Sequence, residues 1–192
     1  MKIVVHNNVT LDGVMQAPGH PDEDRRGGFD DGGWAEPYMD EVMLAAAKEG
    51  MAKGGAMLFG RLTWEKMRAA WSHLPDDNLF ANALNNSMKY VASRTLSEPL
   101  DWQNSTLLAG DAADAVAELK QQPGKDLVIL GSGDLIASLM ARDLIDEWVL
   151  QIHPLMLGSG RRLFPDGGSP KSFRLADSKP TTTGVVIGRY TR

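Results

Sequence analysis

The stretch Asp126-Leu127-Val128-Ile129-Leu130-Gly131-Ser132-Gly133-Asp134-Leu135-Ile136-Ala137-Ser138-Leu139-Met140-Ala141-Arg142 decides the fold. Leu127–Leu130 is a short, wholly apolar run, as a strand buried on both faces requires, and it passes through two glycines into a segment of helical period from about Asp134 to Arg142. A strand feeding a helix through a glycine turn is the repeating unit of an α/β sheet. Such a turn also aims backbone N–H groups and a helix N-terminus at one point, which suits a pyrophosphate. Glycines serve equally in tight turns that bind nothing, so this segment alone leaves both readings open. It is not a Rossmann fingerprint, because Ile136 stands where the third glycine belongs and the segment falls late in the chain. Asp134 suits the helix dipole but is awkward for a phosphate, so its side chain must point away.

Outward from this unit the same alternation recurs. Strands are expected at Ile3–Asn7, Ala56–Phe59, Tyr90–Ser93, Thr106–Ala109, Leu127–Leu130 and Glu147–Ile152, with a last one near Val185–Tyr190, the final pair able to form an antiparallel edge. Helices are expected from Pro37 to Gly54-Gly55, over Leu62–Trp71, over Asn78–Asn86, and over Ala112–Gln122, the last with Asp111 as N-cap and Pro123-Gly124 as stop. Met39, Val42, Met43, Ala46, Ala47 and Met51 fall at intervals of three and four, which makes that face of the first helix core. The fold class is therefore α/β, three-layer, with a mostly parallel central sheet flanked by helices. Gln16 to Gly33 is rich in Gly, Asp, Pro and Arg without apolar period, and is expected to be a long loop serving as a lid. Phe164–Lys179 is similarly loop-like, though Phe173 and Leu175 could anchor it or form a short strand.

The 192 residues suit one domain, and 43% hydrophobic with 23% charged residues is a globular composition. A net charge of −5 argues against a nucleic-acid surface, so an anionic ligand must be held locally. There is no cysteine, which excludes disulfides and thiolate metal sites, and no metal is implied. No apolar run approaches a membrane span, and the opening strand does not resemble a signal peptide. The cytoplasm is the expected location.

Two further segments repeat the strand-to-loop layout. Met57-Leu58-Phe59-Gly60-Arg61-Leu62-Thr63-Trp64-Glu65 runs from a strand through a glycine into a helix, where Arg61 and Thr63 can bind phosphate. Tyr90-Val91-Ala92-Ser93-Arg94 ends a strand in Ser-Arg. Arg61 and Arg94 should share the carboxyl edge of the sheet, where together they could hold a 2′-phosphate and favour NADPH over NADH. Either arginine alone reads better as a solvated loop residue.

The three segments, in this order, resemble the dihydrofolate reductase superfamily, especially the branch of the riboflavin-biosynthesis deaminase-reductase's C-terminal reductase domain. Gly60-Arg61-Leu62-Thr63-Trp64-Glu65 is similar to its Gly-Arg-x-Thr-aromatic-Glu motif. Leu130-Gly131-Ser132-Gly133, Leu144-Ile145-Asp146-Glu147 and His153-Pro154-Leu155-Met156-Leu157-Gly158-Ser159-Gly160 are similar to its C-terminal signature, and Val9-Thr10-Leu11-Asp12-Gly13 to its first strand and turn. The resemblance implies NADPH as cofactor and a hydride transfer to a small heterocycle, pterin-like or ribosylaminopyrimidine-like. It implies that Gly60, Arg61, Thr63, Ser93 and Arg94 meet the adenosine-phosphate side. Gly131, Ser132, Gly133 and Leu135 would wrap the pyrophosphate, and Asn7, Val14 and Met15 would lie near the nicotinamide. Many dihydrofolate reductases carry two adjacent glycines where Gly131-Ser132 stands here. The resemblance further implies a homodimer, and no zinc-ligand set for a deaminase is present among these residues.

Reduction of a C=N bond needs a proton as well as a hydride. Asp12, at the exit of the first strand, is the candidate catalytic acid, against a purely structural Asx-type turn with Gly13. Trp34, Asp40 and His153 are candidate substrate-pocket residues. Trp34 could stack on a heterocycle or anchor the loop. Asp40 and Glu41 would lie in a helix's first turn, where the dipole alone favours carboxylates. His153 could shuttle a proton or be a satisfied structural histidine. With no convincing proton donor, an NADP(H)-binding protein without turnover is the alternative function.

Overall fold

Leu127–Leu130 forms a strand with the bounds the apolar run implies, and Leu127 and Ile129 on one face are fully buried. The computed structural model describes residues 1–75 and 77–192. Along the chain the elements are β1 (Ile3–Thr10), α1 (Glu41–Lys53), β2 (Ala56–Gly60), α2 (Arg61–Trp71), α3 (Leu79–Asn86), β3 (Lys89–Ala92), β4 (Ser105–Leu108), α4 (Ala112–Gln121), β5 (Leu127–Leu130), α5 (Gly133–Ala141), β6 (Glu147–His153), β7 (Arg174–Pro180) and β8 (Val186–Thr191). The fold is a mixed α/β one, a central sheet flanked by helices. The contacts divide the chain into two compact units, Met1–Val4 with Gly50–Ile145 and Val5–Glu49 with Asp146–Arg192.

In the first unit the strand order is β4-β3-β2-β5, followed by the opening residues of β1. The pairs β2/β3, β3/β4 and β2/β5 are parallel, with Gly60 opposite Ala92 and Ala92 opposite Leu108, so three strands end level. Level ends of parallel strands place the following loops at one edge, the position where α/β sheets bind ligands. The core beneath is Met57, Phe59, Trp64, Leu84, Val91 and Trp102, with Phe59 and Trp102 stacked at 6.4 Å. Buried Lys89 donates to the carbonyls of Leu84 and Ser87 at 2.8 and 2.7 Å and lies over the Trp102 ring. Its ammonium thus closes the C-terminal end of α3, where carbonyls lack helical partners.

The second unit continues β1 and orders the remaining strands β6-β8-β7, with β6/β8 and β7/β8 antiparallel. The antiparallel C-terminal edge is therefore present but carries one strand more than the sequence pattern implies. Arg174–Pro180 was expected as loop apart from Phe173 and Leu175. It is exposed along its whole length, so no apolar alternation marks it, and backbone pairing to β8 makes it a strand.

The start of the first helix also needs correction. Pro37 lies in a short 3-10 turn, Glu36–Tyr38, and α1 begins only at Glu41. Asp40 caps it, its Oδ1 accepting from the Met43 N–H at 2.8 Å, so it precedes the first turn rather than lying within it. Met39 falls outside the helix and is exposed, and only Met43 of the predicted apolar face is fully buried. Strand β1 runs on to Thr10, Ser93 lies just beyond β3, and His153 is the last residue of β6. No helix among the described residues is long and apolar enough to cross a membrane.

Gln16 to Gly33 is a loop with one 3-10 turn, Arg26–Gly28, and it has a core of its own. Ala17, Phe29, Trp34 and Ala35 pack with Val14. The Gln16 amide donates to the carbonyls of Asp24 and Arg26, the Trp34 indole N–H to the Gln16 carbonyl, and the Gly33 N–H to the Ala17 carbonyl. The segment is thereby closed on itself at both ends, as compact surface loops are.

Candidate functional site

The five α-helices among the described residues need their first N–H groups satisfied, and the chain treats them unequally. Asn78 and Asp111 cap α3 and α4 with their side chains, as Asp40 caps α1. The starts of α2 and α5 have no side-chain cap. With no side chain over them, the positive dipole ends of these two helices are available to an anion. These two starts are tied together, since the Gly60 N–H donates to Ser132 Oγ at 3.1 Å. A methyl built on Gly131 would stand 3.8 Å from Thr63 Cγ2, which brings the same two turns together from the other side.

The two glycines at this junction are there for different reasons. Gly131 has φ +66°, a left-handed conformation that glycine adopts without strain. Gly60 has φ −78° and ψ 156°, ordinary extended backbone. A methyl there would meet Leu135 Cβ at 3.7 Å and Ser132 Oγ at 3.9 Å, ordinary contacts that need no adjustment. Neither conformation nor packing in the protein itself requires glycine at position 60. What its missing side chain leaves open is the space over the two uncapped helix starts.

Arg61 opens α2, and its Nη1 donates to both Glu65 oxygens at 3.1 Å, an i,i+4 pair along the helix. Arg94 follows β3, 77% exposed in its side chain, and reaches Asp111 Oδ2 at 3.4 Å. The expected shared edge is present, through Gly60 opposite Ala92, but the two arginines engage different carboxylates. The Asp111 carboxyl is held below its ordinary pKa, first by the Asp114 N–H and also by the charges of Arg94 and Arg142. Ser93 is buried, and its Oγ accepts from the N–H groups of Thr95 and Leu96, closing the turn after β3.

The other candidates lie in the second unit. Asn7 is buried and its amide donates weakly to Met15 Sδ at 3.6 Å, while Val14 is fully buried in an antiparallel bridge with Arg162. Asp12 is committed to the turn. Its Oδ1 accepts from Thr10 Oγ1 at 2.5 Å, and its Oδ2 from the Gly158 N–H at 2.8 Å, so it clasps the segment after β6. The Thr10 hydroxyl, first, and the Gly158 N–H lower its pKa and keep it ionised at neutral pH. Asp40 is similarly engaged: beyond capping α1 it accepts from Thr182 N at 2.7 Å and Thr182 Oγ1 at 2.6 Å. The Thr182 hydroxyl is the main reason its pKa is lowered to about 2.

His153 is fully buried, with its ring edge-to-face to Trp34 at 5.1 Å and to Tyr38 at 5.5 Å. Two of the predicted pocket residues are thus in contact, and Asp40 is turned to another task. Nε2 lies 2.9 Å from Asn8 Oδ1, which as an acceptor places the proton on Nε2 and leaves buried Nδ1 a bare acceptor without a partner. Desolvation lowers the His153 pKa to about 4, so the ring is neutral at pH 7. Asn8, Glu65 and Asp111 are the residues whose part in these clusters the sequence reading left out. Glu65 could have been found by its helical spacing from Arg61, whereas Asn8 and Asp111 meet their partners only through tertiary folding.

A central sheet flanked by helices, with paired strand-to-helix glycine turns at its level strand ends, defines a protein of the dihydrofolate-reductase-like class. The chain belongs to the RibD C-terminal domain family, whose model matches residues 1–187. This is a reductase family, as the resemblance of its motifs implies. Among solved structures it is similar to a protein assigned to riboflavin biosynthesis from Shewanella sp. PV-4, with TM-score 0.72, 25% identity and coverage of 100% of this chain and 99% of that one. A pyrimidine reductase-like protein from Corynebacterium diphtheriae shares the fold, with TM-score 0.63 at 11% identity over 99% of this chain and 91% of that one. Among curated proteins it is 36% identical over 98 residues to the uncharacterized protein YyaP of Bacillus subtilis, covering 51% of each. It is 31% identical over 85 residues to YwjB of the same organism, covering 44% of this chain and 49% of that one. The chain thus spans about half the length of the curated relatives it matches.

Proposed function

We propose that the chain is an NADPH-dependent oxidoreductase that reduces a small heterocycle, pterin-like or ribosylaminopyrimidine-like, its 192 residues working as one domain. The observation that carries this reading is Gly60, a glycine the fold does not need, open toward two uncapped helix starts. When bound, the cofactor supplies the hydride. Gly131, Ser132, Gly133 and Leu135 wrap its pyrophosphate, and Gly60, Arg61, Thr63, Ser93 and Arg94 take the adenosine-phosphate side, Gly60 by the close approach that its missing side chain allows. Trp34 and His153 form a dry, uncharged wall for the heterocycle, while Asp12 positions the turn that carries Val14 and Met15. In line with the family resemblance, the chain works as a homodimer in the cytoplasm, which light scattering and fractionation would test.

A second reading, an NADP(H)-binding protein without turnover, is favoured by one set of observations. Asp12 and Asp40 are held ionised by hydrogen bonds and His153 is held neutral, so none of the three is in its acid form at pH 7. Titration with NADPH followed by cofactor fluorescence tests the shared first step. Gly60→Ala should keep the wild-type melting profile and lose NADPH binding by at least about tenfold, since the methyl fits the protein but not a close-approaching phosphate. An alanine variant that binds normally would remove the main support for the site. Steady NADPH oxidation with a pterin or aminopyrimidine substrate would then decide for the reductase over the second reading.

A further inference from the structure

The two ion pairs at the strand ends differ in kind. Arg61 is anchored along its own helix by Glu65. Arg94 is far more exposed and makes a single longer contact, to Asp111 Oδ2 at 3.4 Å. The Asp111 carboxylate is itself pinned, because its other oxygen accepts from the N–H groups of Ala113 and Asp114 at 3.0 and 3.2 Å and caps α4. It cannot swing away from Arg94 without uncapping that helix. Any anion taken by the Arg94 guanidinium therefore lies roughly 6–7 Å from a fixed negative charge, about the width of the guanidinium and two hydrogen bonds.

We propose that Asp111 is a specificity-determining residue that opposes a 2′-phosphate at Arg94, holding the preference for NADPH over NADH below what the two arginines alone would give. This rests on the NADPH reading above. Two effects compete when the carboxylate is removed. Arg94 loses a tether, but an exposed single-contact pair contributes little. A phosphomonoester bearing roughly 1.5–2 negative charges loses a repulsion that acts on all of that charge. The second effect is larger, so removing the carboxylate tightens NADPH binding.

Asp111→Asn is the suitable change, because asparagine caps a helix as well as aspartate does. The experiment is a pair of calorimetric titrations, NADPH and NADH, on wild type, Asp111→Asn and Asp114→Asn. Asp114 pairs with Arg142 at 2.7 Å, so its variant removes the same formal charge nearby without touching the Arg94 pair. Asp111→Asn should tighten NADPH about three- to tenfold at low salt, leave NADH within about twofold, and lose most of the gain in about 0.5 M salt. Asp114→Asn should change the NADPH-to-NADH ratio by less than about twofold. An unchanged or reduced ratio in Asp111→Asn, or an equal rise in Asp114→Asn, overturns the proposal while leaving the NADPH reading intact. Wild-type protein that binds neither dinucleotide overturns both.

Discussion

Ser132 holds the two glycine turns together at a conformational cost. Its φ of 58° and ψ of 48° are left-handed, which costs a residue with a β-carbon roughly 1 kcal/mol relative to glycine. Its hydroxyl accepts the Gly60 N–H, a bond worth about 1 kcal/mol net. Ser132→Ala keeps the strain and loses the bond, so urea melts should show it less stable by about 1 kcal/mol. Ser132→Gly loses the bond but relieves the strain, and should melt close to wild type. Both variants unlink the helix starts, so NADPH should bind severalfold more weakly to each whatever their stability. A glycine variant with wild-type NADPH affinity would show that the tie has no part in binding. Residues of this turn were legible because few types tolerate such backbone near a helix start. The partners of Asp12 and Asp40 were not, because carboxylates at turn exits and helix starts look alike whether they face a substrate, a cap or a distant hydroxyl.

At the scale of elements, legibility followed burial. β5 has the bounds its apolar run suggested, and β2, β3, β4 and β6 lie within a residue or two of theirs. β2, β3, β5 and β6 are marked by buried side chains that must leave water, and β4 by the half-buried pair Leu107 and Leu108. β7 is exposed along its length, joined to β8 by backbone pairing and one long Arg174–Thr191 side-chain contact, and left no such mark. The 3-10 turn before α1 was missed for a related reason: Pro37 suits the first turn of either helix type, and only the Asp40 cap separates them. β6 ends on His153, whose burial makes a measurable prediction. An unfolded histidine takes up a proton near pH 6.5, whereas the folded ring does so only near pH 4. The unfolded state therefore binds more protons between these values, so stability falls as pH drops through this window, by about 3 kcal/mol in all. His153→Phe fills the same aromatic site without a titrating group. Urea melts from pH 7 to 4 should show the wild type losing about 3 kcal/mol more than the variant. Parallel pH profiles would mean that the ring is protonated in place, and that the dry wall assigned to it is wet.

On the scale of the whole molecule, what the sequence withheld is long-range. The Gly158-Ser159-Gly160 signature was visible as a motif, but its purpose is met only across the fold. The Gly158 N–H donates to Asp12, the Met15 N–H donates to the Arg161 carbonyl, and the Leu163 N–H to the Gly13 carbonyl. These bonds lace the chain after β6 onto the turn after β1, and Gly160 sits where that seam meets the long loop. A methyl on Gly160 would come within 2.7 Å of Phe29 Cε2 and 2.9 Å of Val14 Cγ1, at φ +102°. Gly158 shares the positive φ, at +74°, yet a methyl there meets nothing within 4 Å. The two alanine variants therefore separate backbone strain from lost packing. Gly158→Ala should cost about 1 kcal/mol for its backbone alone. Gly160→Ala adds overpacking against a buried ring and should cost about 2–4 kcal/mol. Since Phe29 belongs to the loop's own core, amide exchange over residues 14–35 should quicken in Gly160→Ala and stay unchanged in Gly158→Ala. Equal melting and equal exchange in the two variants would show that the seam does not hold the loop.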